Sequence, residues 1–441
     1  MTWYLKKVLK RKPFFKPMQA QPISALSGQV RRRSVFYLSG FDPKGAAHYH
    51  ALYRDEAGKQ ARVSGMSIEV GRRQKTTQGN SFWQVTAHNP ENPEDDDDPV
   101  ETRYEFLRWD DIVREHWPRN QVRLRWVIVT TTWLNLYHGA LWSMLKLAWP
   151  PVVALFLPFV LLFSMVLGLP LLAALVFSGT SALLGAWGAG ALTCIAVAAG
   201  VHAGRRLEKK YSMFWLMRSY AFTAQQAQGR VPALDARLTQ HANTLLNRLA
   251  SNEDDEILVV AHSSGTMMAV STLAKALRLD PQLGARGPVV SLLTLGQCMP
   301  LLGCLPQAQA FRDDLQLLAT ARGIDWIDFT APPDGCCFAL VDPVAACGIS
   351  DAAQQENRPK LLSPRFAEMF EPLGYAAISS DKFKIHFQYL MASNKPVLYD
   401  YFSITAGNTT LAKRFSEQTS ITDYKGLKLI KSDDKRPAKS S

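Results

Sequence analysis

The stretch Glu256-Ile-Leu-Val-Val-Ala-His-Ser-Ser-Gly265 decides the fold of this 441-residue chain. Its first part is a fully apolar run, Ile257-Leu-Val-Val260, which predicts a strand that is buried on both faces. A helical pattern over residues 266–279 follows at once. A buried strand that turns directly into a helix is typical of an α/β fold with a parallel sheet.

The sequence on both sides of this unit continues the alternation of strands and helices. Before it, residues 34–39, 66–69, 82–86 and 102–106 have strand patterns, and residues 46–61 have a helical pattern. After residue 230, helical patterns at 231–250 and 308–321 alternate with strand patterns at 289–295 and 326–329. We therefore predict a mostly parallel sheet with helices on both faces.

The composition excludes several classes of protein. Hydrophobic residues make up 47% of the chain and charged residues 20%, which is incompatible with disorder throughout. The six cysteines are too few for a disulfide scaffold, and no CxxC pair has a later partner. We expect neither a disulfide-rich domain nor a metal site.

The positive charge is concentrated in a basic arm, residues 1–33. This arm contains nine basic side chains and no acidic ones, so it supplies +9 of the net charge of +12. Apolar residues are interleaved with the basic ones, which suits an anionic membrane surface, although a solvated terminus is the alternative. No nucleic-acid-binding module is recognisable, so we do not expect nucleic acid as a partner. A second basic segment, residues 424–441, is expected to be disordered.

A block of 58 residues, 147–204, contains no Asp, Glu, Lys or Arg. One transmembrane helix needs about 20 apolar residues, so the block predicts two helices and a short turn. The candidate turn residues are Gly168, Pro170, Gly179 and Thr180. A buried helical hairpin in a soluble core is the alternative interpretation.

Basic residues flank the block on both sides, Lys146 before it and Arg205 and Arg206 after it. The positive-inside rule then places both flanks, and both termini, in the cytoplasm. We predict an integral protein of the plasma (inner) membrane. The predicted divisions are the basic arm (1–33), a first part of the α/β domain (34–140), a transmembrane hairpin (141–210), a second part of that domain (211–423) and the basic tail (424–441).

The residues Ala261-His262-Ser263-Ser264-Gly265 carry the chemistry. They resemble the nucleophile elbow of the α/β-hydrolase superfamily, usually written G-x-S-x-G, in which the strand-to-helix turn exposes the central serine. Ala261 replaces the first glycine, and its methyl group is small enough for strand and helix to approach. The resemblance implies that Ser263 is the nucleophile. The alternative is a serine that only caps the following helix.

The superfamily places the acid and then the histidine after the serine along the chain. Nine histidines are present, and His386 is the one that follows Ser263 with an acid between them. The resemblance implies that His386 is the catalytic base, in the loop between the last strand and a helix. A structural histidine, on the surface or in the core, is the alternative.

Two aspartates are candidates for the acid that orients His386. Asp334 follows the predicted strand 326–329 in a turn-rich loop and is favoured, with Asp342 as the alternative acid. Either aspartate is also a common turn initiator.

The oxyanion hole needs two backbone N–H donors, and we expect them from Ser264 and from Phe41 in the loop 38–43. Asp42 is unusual beside a developing negative charge, and it either caps the following helix or bonds to the loop backbone.

The resemblance covers about residues 34–110 and 213–400 and implies a membrane-anchored serine hydrolase without a metal or organic cofactor. Its substrate would be an acyl ester, and a site beside a bilayer favours one derived from lipid. The loop with Phe41 precedes the apolar block and the elbow follows it, so one site requires an even number of membrane crossings. The rival hypotheses are a catalytically silent scaffold with the same fold and a small transporter or channel component.

Overall fold

The computed structural model describes residues 28–88, 99–117, 120–137, 139–211, 213–349 and 359–421. Most of the predicted basic arm and the predicted basic tail lie outside these ranges, so the expectations about them stay predictions. Within the ranges, the chain is an α/β fold.

Nine strands in the described ranges form one sheet. They are β1 (Arg32–Leu38), β2 (Ser67–Val70), β3 (Gln74–Lys75), β4 (Ser81–His88), β5 (Val100–Phe106), β6 (Glu256–His262), β7 (Val289–Leu295), β8 (Ile324–Phe329) and β9 (Lys360–Leu362). Their order is β2-β4-β5-β1-β6-β7-β8-β9, and β3 pairs with β4. The six strands from β5 to β9 in this order are parallel, whereas β4 pairs antiparallel with β5 and with β2. The predicted mostly parallel sheet is confirmed.

Sixteen helices accompany the strands in the same ranges. They are α1 (Ala46–Ser64), α2 (Asp110–Glu115), α3 (Gln121–Tyr137), α4 (Ala140–Leu147), α5 (Trp149–Phe163), α6 (Leu169–Tyr211), α7 (Met213–Ala227), α8 (Pro232–Ser251), α9 (Gly265–Leu279), α10 (Pro300–Gly303), α11 (Gln309–Thr320), α12 (Pro343–Ala346), α13 (Pro372–Ser380), α14 (Lys382–Phe387), α15 (Tyr401–Ala406) and α16 (Leu411–Arg414).

Strand β6 lies at the centre of the sheet, between β1 and β7, and all seven of its residues are buried. Its register pairs Ala261 with Leu38 of β1 and His262 with Leu295 of β7. The carboxyl ends of the three strands therefore lie side by side. This edge is where ligands usually bind in open α/β sheets.

Helices cover both faces of the sheet, as predicted. The core on one face includes residues of α5, α7, α8, α9 and α11, whereas the core on the other includes α1, α14 and α15. Between the strands, Arg33 of β1 donates to Glu256 of β6 at 2.7 Å, and both side chains are fully buried. Arg33 also donates to the carbonyl oxygens of Gly407 and Thr409, which attaches the C-terminal helices to the sheet.

The apolar block differs from the prediction. Helix α5, a π-helical turn at Ser164–Gly168 and helix α6 follow one another without a break, and Trp149–Lys209 is one helical segment long and apolar enough to cross a membrane. The four predicted turn residues are all helical, so that prediction is wrong. Inside α6 the residue that leaves the helical conformation is Gly185 (φ 63°, ψ 174°), a backbone geometry that glycine adopts without a Cβ clash.

Candidate active site

Ser263 occupies a sharp turn between β6 and α9. Its φ of 58° is rare for a residue with a side chain and costs about 1–3 kcal/mol, so the surrounding structure must hold it. The Ser263 N–H donates to the carbonyl oxygen of Leu295 at 2.9 Å, and the Ser263 carbonyl oxygen accepts from Thr266 N at 3.0 Å. These bonds attach the turn to β7 on one side and to α9 on the other.

Two glycines permit this turn because neighbouring atoms approach them closely, backbone at Gly265 and the Ser263 side chain at Gly40. A Cβ on Gly265 would lie 2.5 Å from the carbonyl oxygen of Ser39, and a Cβ on Gly40 would lie 3.0 Å from Cβ of Ser263. Ala261, which departs from the usual pattern, is fully buried between Leu38 and Thr294 in the sheet. The sheet therefore accommodates the extra methyl group, and the strand-to-helix turn forms without the first glycine.

Asp334 and His386 are in direct contact. The Nδ1 atom of His386 lies 2.9 Å from Oδ2 and 3.0 Å from Oδ1 of Asp334, and both side chains are buried. Burial by itself raises the pKa of Asp334, but the charge and hydrogen bond of His386, together with hydrogen bonds from Cys336 and Cys337, outweigh burial and hold that pKa below its ordinary value. The carboxylate is therefore ionised, and it accepts a hydrogen bond from His386 Nδ1.

The local setting of His386 differs from the prediction. His386 lies within helix α14, which follows helix α13, and not in a loop after the last strand. Asp381 explains the difference, because its carboxylate accepts hydrogen bonds from Phe383 N and Lys384 N and so starts a helix before His386.

The Nε2 atom of His386 is buried and has no hydrogen-bond partner within the part of the chain that the structure describes. The Ser263 hydroxyl therefore does not bond to it in this conformation.

The ring of His262, the residue before the serine, lies 4.7 Å from the His386 ring, and its Nε2 donates to the His386 carbonyl oxygen at 2.8 Å. Burial lowers the pKa of His262 to about 3, so this ring is neutral. His262 thus brings the serine turn and α14 together.

The two other aspartates of the prediction have different roles. Asp342 accepts hydrogen bonds from Val344 N and Ala345 N and so caps α12, while the contact to His386 Nδ1 comes from Asp334. Asp42 accepts from Lys44 N and from the Tyr49 hydroxyl, each at 3.0 Å. It therefore bonds to the loop backbone, which is one of the two alternatives raised above.

The predicted oxyanion donor Phe41 lies next to the elbow. Its N–H donates to the Ser264 hydroxyl at 2.7 Å, so a neighbouring oxygen occupies the position in which a substrate oxygen is expected. The Phe41 ring stacks on Trp117 and contacts Phe222, with ring centroids 5.7 Å and 5.1 Å away. These contacts fix the loop that carries the donor.

Asp334, Cys336 and His386 each offer a donor atom, and the three atoms lie within 4.8 Å of one another. Burial and the nearby Asp334 charge raise the pKa of the Cys336 thiol well above its ordinary value. A cysteine ligates a metal as the thiolate, so an ion bound here would have to displace the proton of Cys336.

Sequence reasoning missed two residues that support Asp334. The hydroxyl of Tyr389 donates to Oδ2 of Asp334 at 3.1 Å and accepts from Ala331 N at 2.9 Å. Gly296 has a φ of 55°, and a Cβ there would lie 2.9 Å from the Tyr389 ring. The available signal was the spacing of Tyr389 three residues after His386, which places both on one side of a helical turn.

Comparisons of this chain with models of protein families, with curated proteins and with solved structures gave no match. The function is therefore argued from the geometry of the site.

Proposed function

We propose that this protein is a membrane-anchored serine hydrolase that cleaves an acyl ester, with an α/β-hydrolase type of fold. The observation that carries the proposal is Ser263, held at a positive φ between a buried strand and a helix, while the preceding residue, His262, contacts the buried His386–Asp334 pair. A strained serine at such a turn and an oriented imidazole are the two parts that nucleophilic catalysis needs.

In the proposed mechanism, Ser263 Oγ attacks the carbonyl carbon of the ester while His386 Nε2 takes the hydroxyl proton. Asp334 holds the tautomer of His386 and stabilises the imidazolium. The oxyanion binds the N–H groups of Phe41 and Ser264. The tetrahedral intermediate then collapses, His386 gives its proton to the leaving alcohol, and water repeats the sequence on the acyl-enzyme.

Two side-chain movements precede this attack. Ser263 must turn its hydroxyl towards His386 Nε2, which is unpaired among the described residues, and Ser264 must release the Phe41 N–H. Catalytic hydrogen bonds often form only when substrate is bound. The present conformation is consistent with an enzyme at rest.

The anchor is proposed to be a helical hairpin that turns at Gly185. Leu169 lies against Gly200, with its Cδ2 2.5 Å from the position of a Cβ there, and Met165 lies against Gly204. In both pairs, the midpoint along the sequence falls between residues 184 and 185. Antiparallel arms would produce such pairing, and the glycines would let the arms approach closely.

The lengths and the exposed side chains support insertion in a bilayer. Arms of residues 161–184 and 186–204 would be about 36 Å and about 28 Å long, close to a hydrocarbon core of about 30 Å. Near the turn, Leu183 is 85% and Trp187 94% exposed, so these apolar side chains lack protein contacts that would bury them. We propose that the α/β domain lies on the cytoplasmic side of the plasma membrane.

An activity-based fluorophosphonate probe on the full-length protein tests the chemistry. We expect labelling of the wild type, none of Ser263→Ala, and labelling of the control Ser271→Ala, whose hydroxyl lies within helix α9 after the turn. Labelling that survives in Ser263→Ala would place the nucleophile elsewhere. A chain-length series of acyl esters then tests the proposed lipid origin of the substrate, since a preference confined to short, soluble esters would contradict it.

A catalytically silent scaffold is the second candidate. The missing Ser263–His386 hydrogen bond favours it, because a silent protein needs no such contact. A folded wild type that never reacts with the probe would support this candidate.

A further inference from the structure

Helix α3 carries an exposed apolar stripe. Its members are Val122, Trp126, Val129, Trp133 and Leu136, and Trp126 and Trp133 are 68% and 66% exposed. Their spacing of three or four residues places them on one face of the helix, whereas Thr131 and Thr132 are buried. Large exposed apolar patches on proteins mark surfaces that contact another molecule or a membrane.

The polar residues around the stripe fit the surface of a bilayer. Arg123 and Arg125 are exposed in the first turns of α3, and the helix contains no acidic residue. In a helical projection the two arginines lie on opposite sides of the stripe. Tryptophan prefers the boundary between headgroups and acyl chains, and arginine beside it pairs with anionic phosphate groups.

The position of α3 in the fold points to the same surface. The helix packs against α5, which begins the apolar segment, and against α7, which follows that segment. Its stripe is therefore next to the base of the proposed hairpin, where the bilayer surface would be. Trp142, on the helix between α3 and the apolar segment, and Trp149, at the start of that segment, are also exposed.

We propose that the stripe of α3 lies in the headgroup region of the bilayer and forms a second membrane contact, with a preference for anionic lipid. This inference rests on the proposed membrane anchor and not on the serine chemistry.

The contact would also fix the orientation of the catalytic domain relative to the bilayer. Helix α3 packs on α7, and α7 touches both Phe41 and the helix that carries His386. The ring of Phe222 contacts Phe41, and the ring of Trp215 contacts Phe383 at 5.4 Å. Helix α7 alone would therefore separate the headgroup region from the site that a lipid substrate enters.

The test places an environment-sensitive NBD fluorophore on the full-length protein in vesicles of phosphatidylcholine and phosphatidylglycerol. Cys194, an exposed thiol in the apolar segment, is first changed to serine. Single cysteines then replace Trp126 or Trp133, and the control is Arg54→Cys on α1, which packs on the opposite face of the sheet. Doxyl-labelled lipid reports contact with the bilayer, and iodide reports contact with water.

We expect blue-shifted emission and quenching by doxyl lipid at positions 126 and 133, and quenching by iodide at position 54. Replacing phosphatidylglycerol by phosphatidylcholine should weaken the lipid quenching at position 126. Iodide quenching at both stripe positions would overturn the proposal. So would a blue-shifted label that neither quencher reaches, since that result indicates a protein partner or a second copy.

Two measurements on the same preparations separate this inference from the proposals on which it rests. Resistance to carbonate extraction reports the hairpin, and fluorophosphonate labelling of Ser263 reports the chemistry and confirms that each variant is folded. A variant that passes both tests but has a water-exposed stripe refutes only the second membrane contact. As a further check without labels, brominated lipid should quench the tryptophan fluorescence of wild type more than that of the double variant Trp126→Phe and Trp133→Phe.

Discussion

The substitution Gly265→Ala tests whether the close approach of β1 and α9 builds the site. A Cβ at position 265 would lie 2.5 Å from the carbonyl oxygen of Ser39, whereas ordinary contact begins at 3.4 Å. The obstructing atoms belong to backbone, so no side-chain rotation relieves the clash. The two segments must therefore separate by nearly 1 Å. Overpacking of this kind costs about 1–3 kcal/mol in the free energy of unfolding.

The same displacement should reach the chemistry, because Ser39 lies two residues before Phe41. A shift of about 1 Å in a positioning group lowers rates by about 10²-fold. We expect Gly265→Ala to be labelled by a fluorophosphonate about 100 times more slowly than wild type. A time course of probe labelling, quenched at successive times, measures this rate, and urea unfolding in detergent measures the stability.

Gly58→Ala is the matched control. Gly58 lies inside helix α1, and a Cβ there meets nothing within 4 Å. Because alanine is the better helix former, this variant should gain about 0.5–1 kcal/mol and keep the wild-type labelling rate. If Gly265→Ala matched the control in both measurements, the close approach would have no part in building the site.

Three further substitutions test other parts of the structure. Asp334→Asn should leave the fold intact but slow probe labelling by about 10⁴-fold, because His386 loses the acceptor that fixes its tautomer; a near-wild-type rate would refute the role of Asp334. Glu256→Gln should lower the unfolding free energy by about 3–5 kcal/mol in urea titration, because it leaves the buried Arg33 guanidinium without its counter-charge. Burial raises the pKa of Asp328 to about 8, so between about pH 4 and 8 the unfolded chain releases from this residue a proton that the folded chain keeps, and the contribution of Asp328 to stability falls as the pH rises. Asp328→Asn removes this contribution, so on going from pH 5 to pH 8 the melting temperature of the variant should fall less, or rise more, than that of wild type.

The centre of the sheet was predictable because its strands are continuous apolar runs. The predicted strand 289–295 matches β7 at both ends, and the strand before Ser263 and the helix after it were also found. Such runs are buried on both faces, so the sequence alone reports their environment. The strand-to-helix turn at Ser263 was predictable for the same reason, since its small residues lie between two readily predicted elements.

The parts that could not be predicted depend on contacts between distant segments. The sequence does not distinguish Gly185 from the other glycines of the uncharged block. Which glycine leaves the helical conformation depends on contacts between residues far apart along the chain, such as Leu169 and Gly200. The helix around His386 is the exception, because it depends on the Asp381 cap, which is a local signal in the sequence. The role of Tyr389 is set by its distance from Asp334 across more than fifty residues.

The continuity of the sheet limits how the apolar segment can meet a membrane. Strand β1 precedes the segment and β6 follows it, yet the two strands pair in parallel from Arg33–Glu256 to Leu38–Ala261. A single crossing would put β1 and β6 on opposite sides of the bilayer and remove this central ladder, together with the buried Arg33–Glu256 bond. If the segment crosses at all, it must therefore cross an even number of times, and a length of about 60 residues permits two crossings. Reporter groups attached before β1 and after α16 should thus be accessible from the same side of the membrane, and accessibility from opposite sides would be incompatible with this sheet.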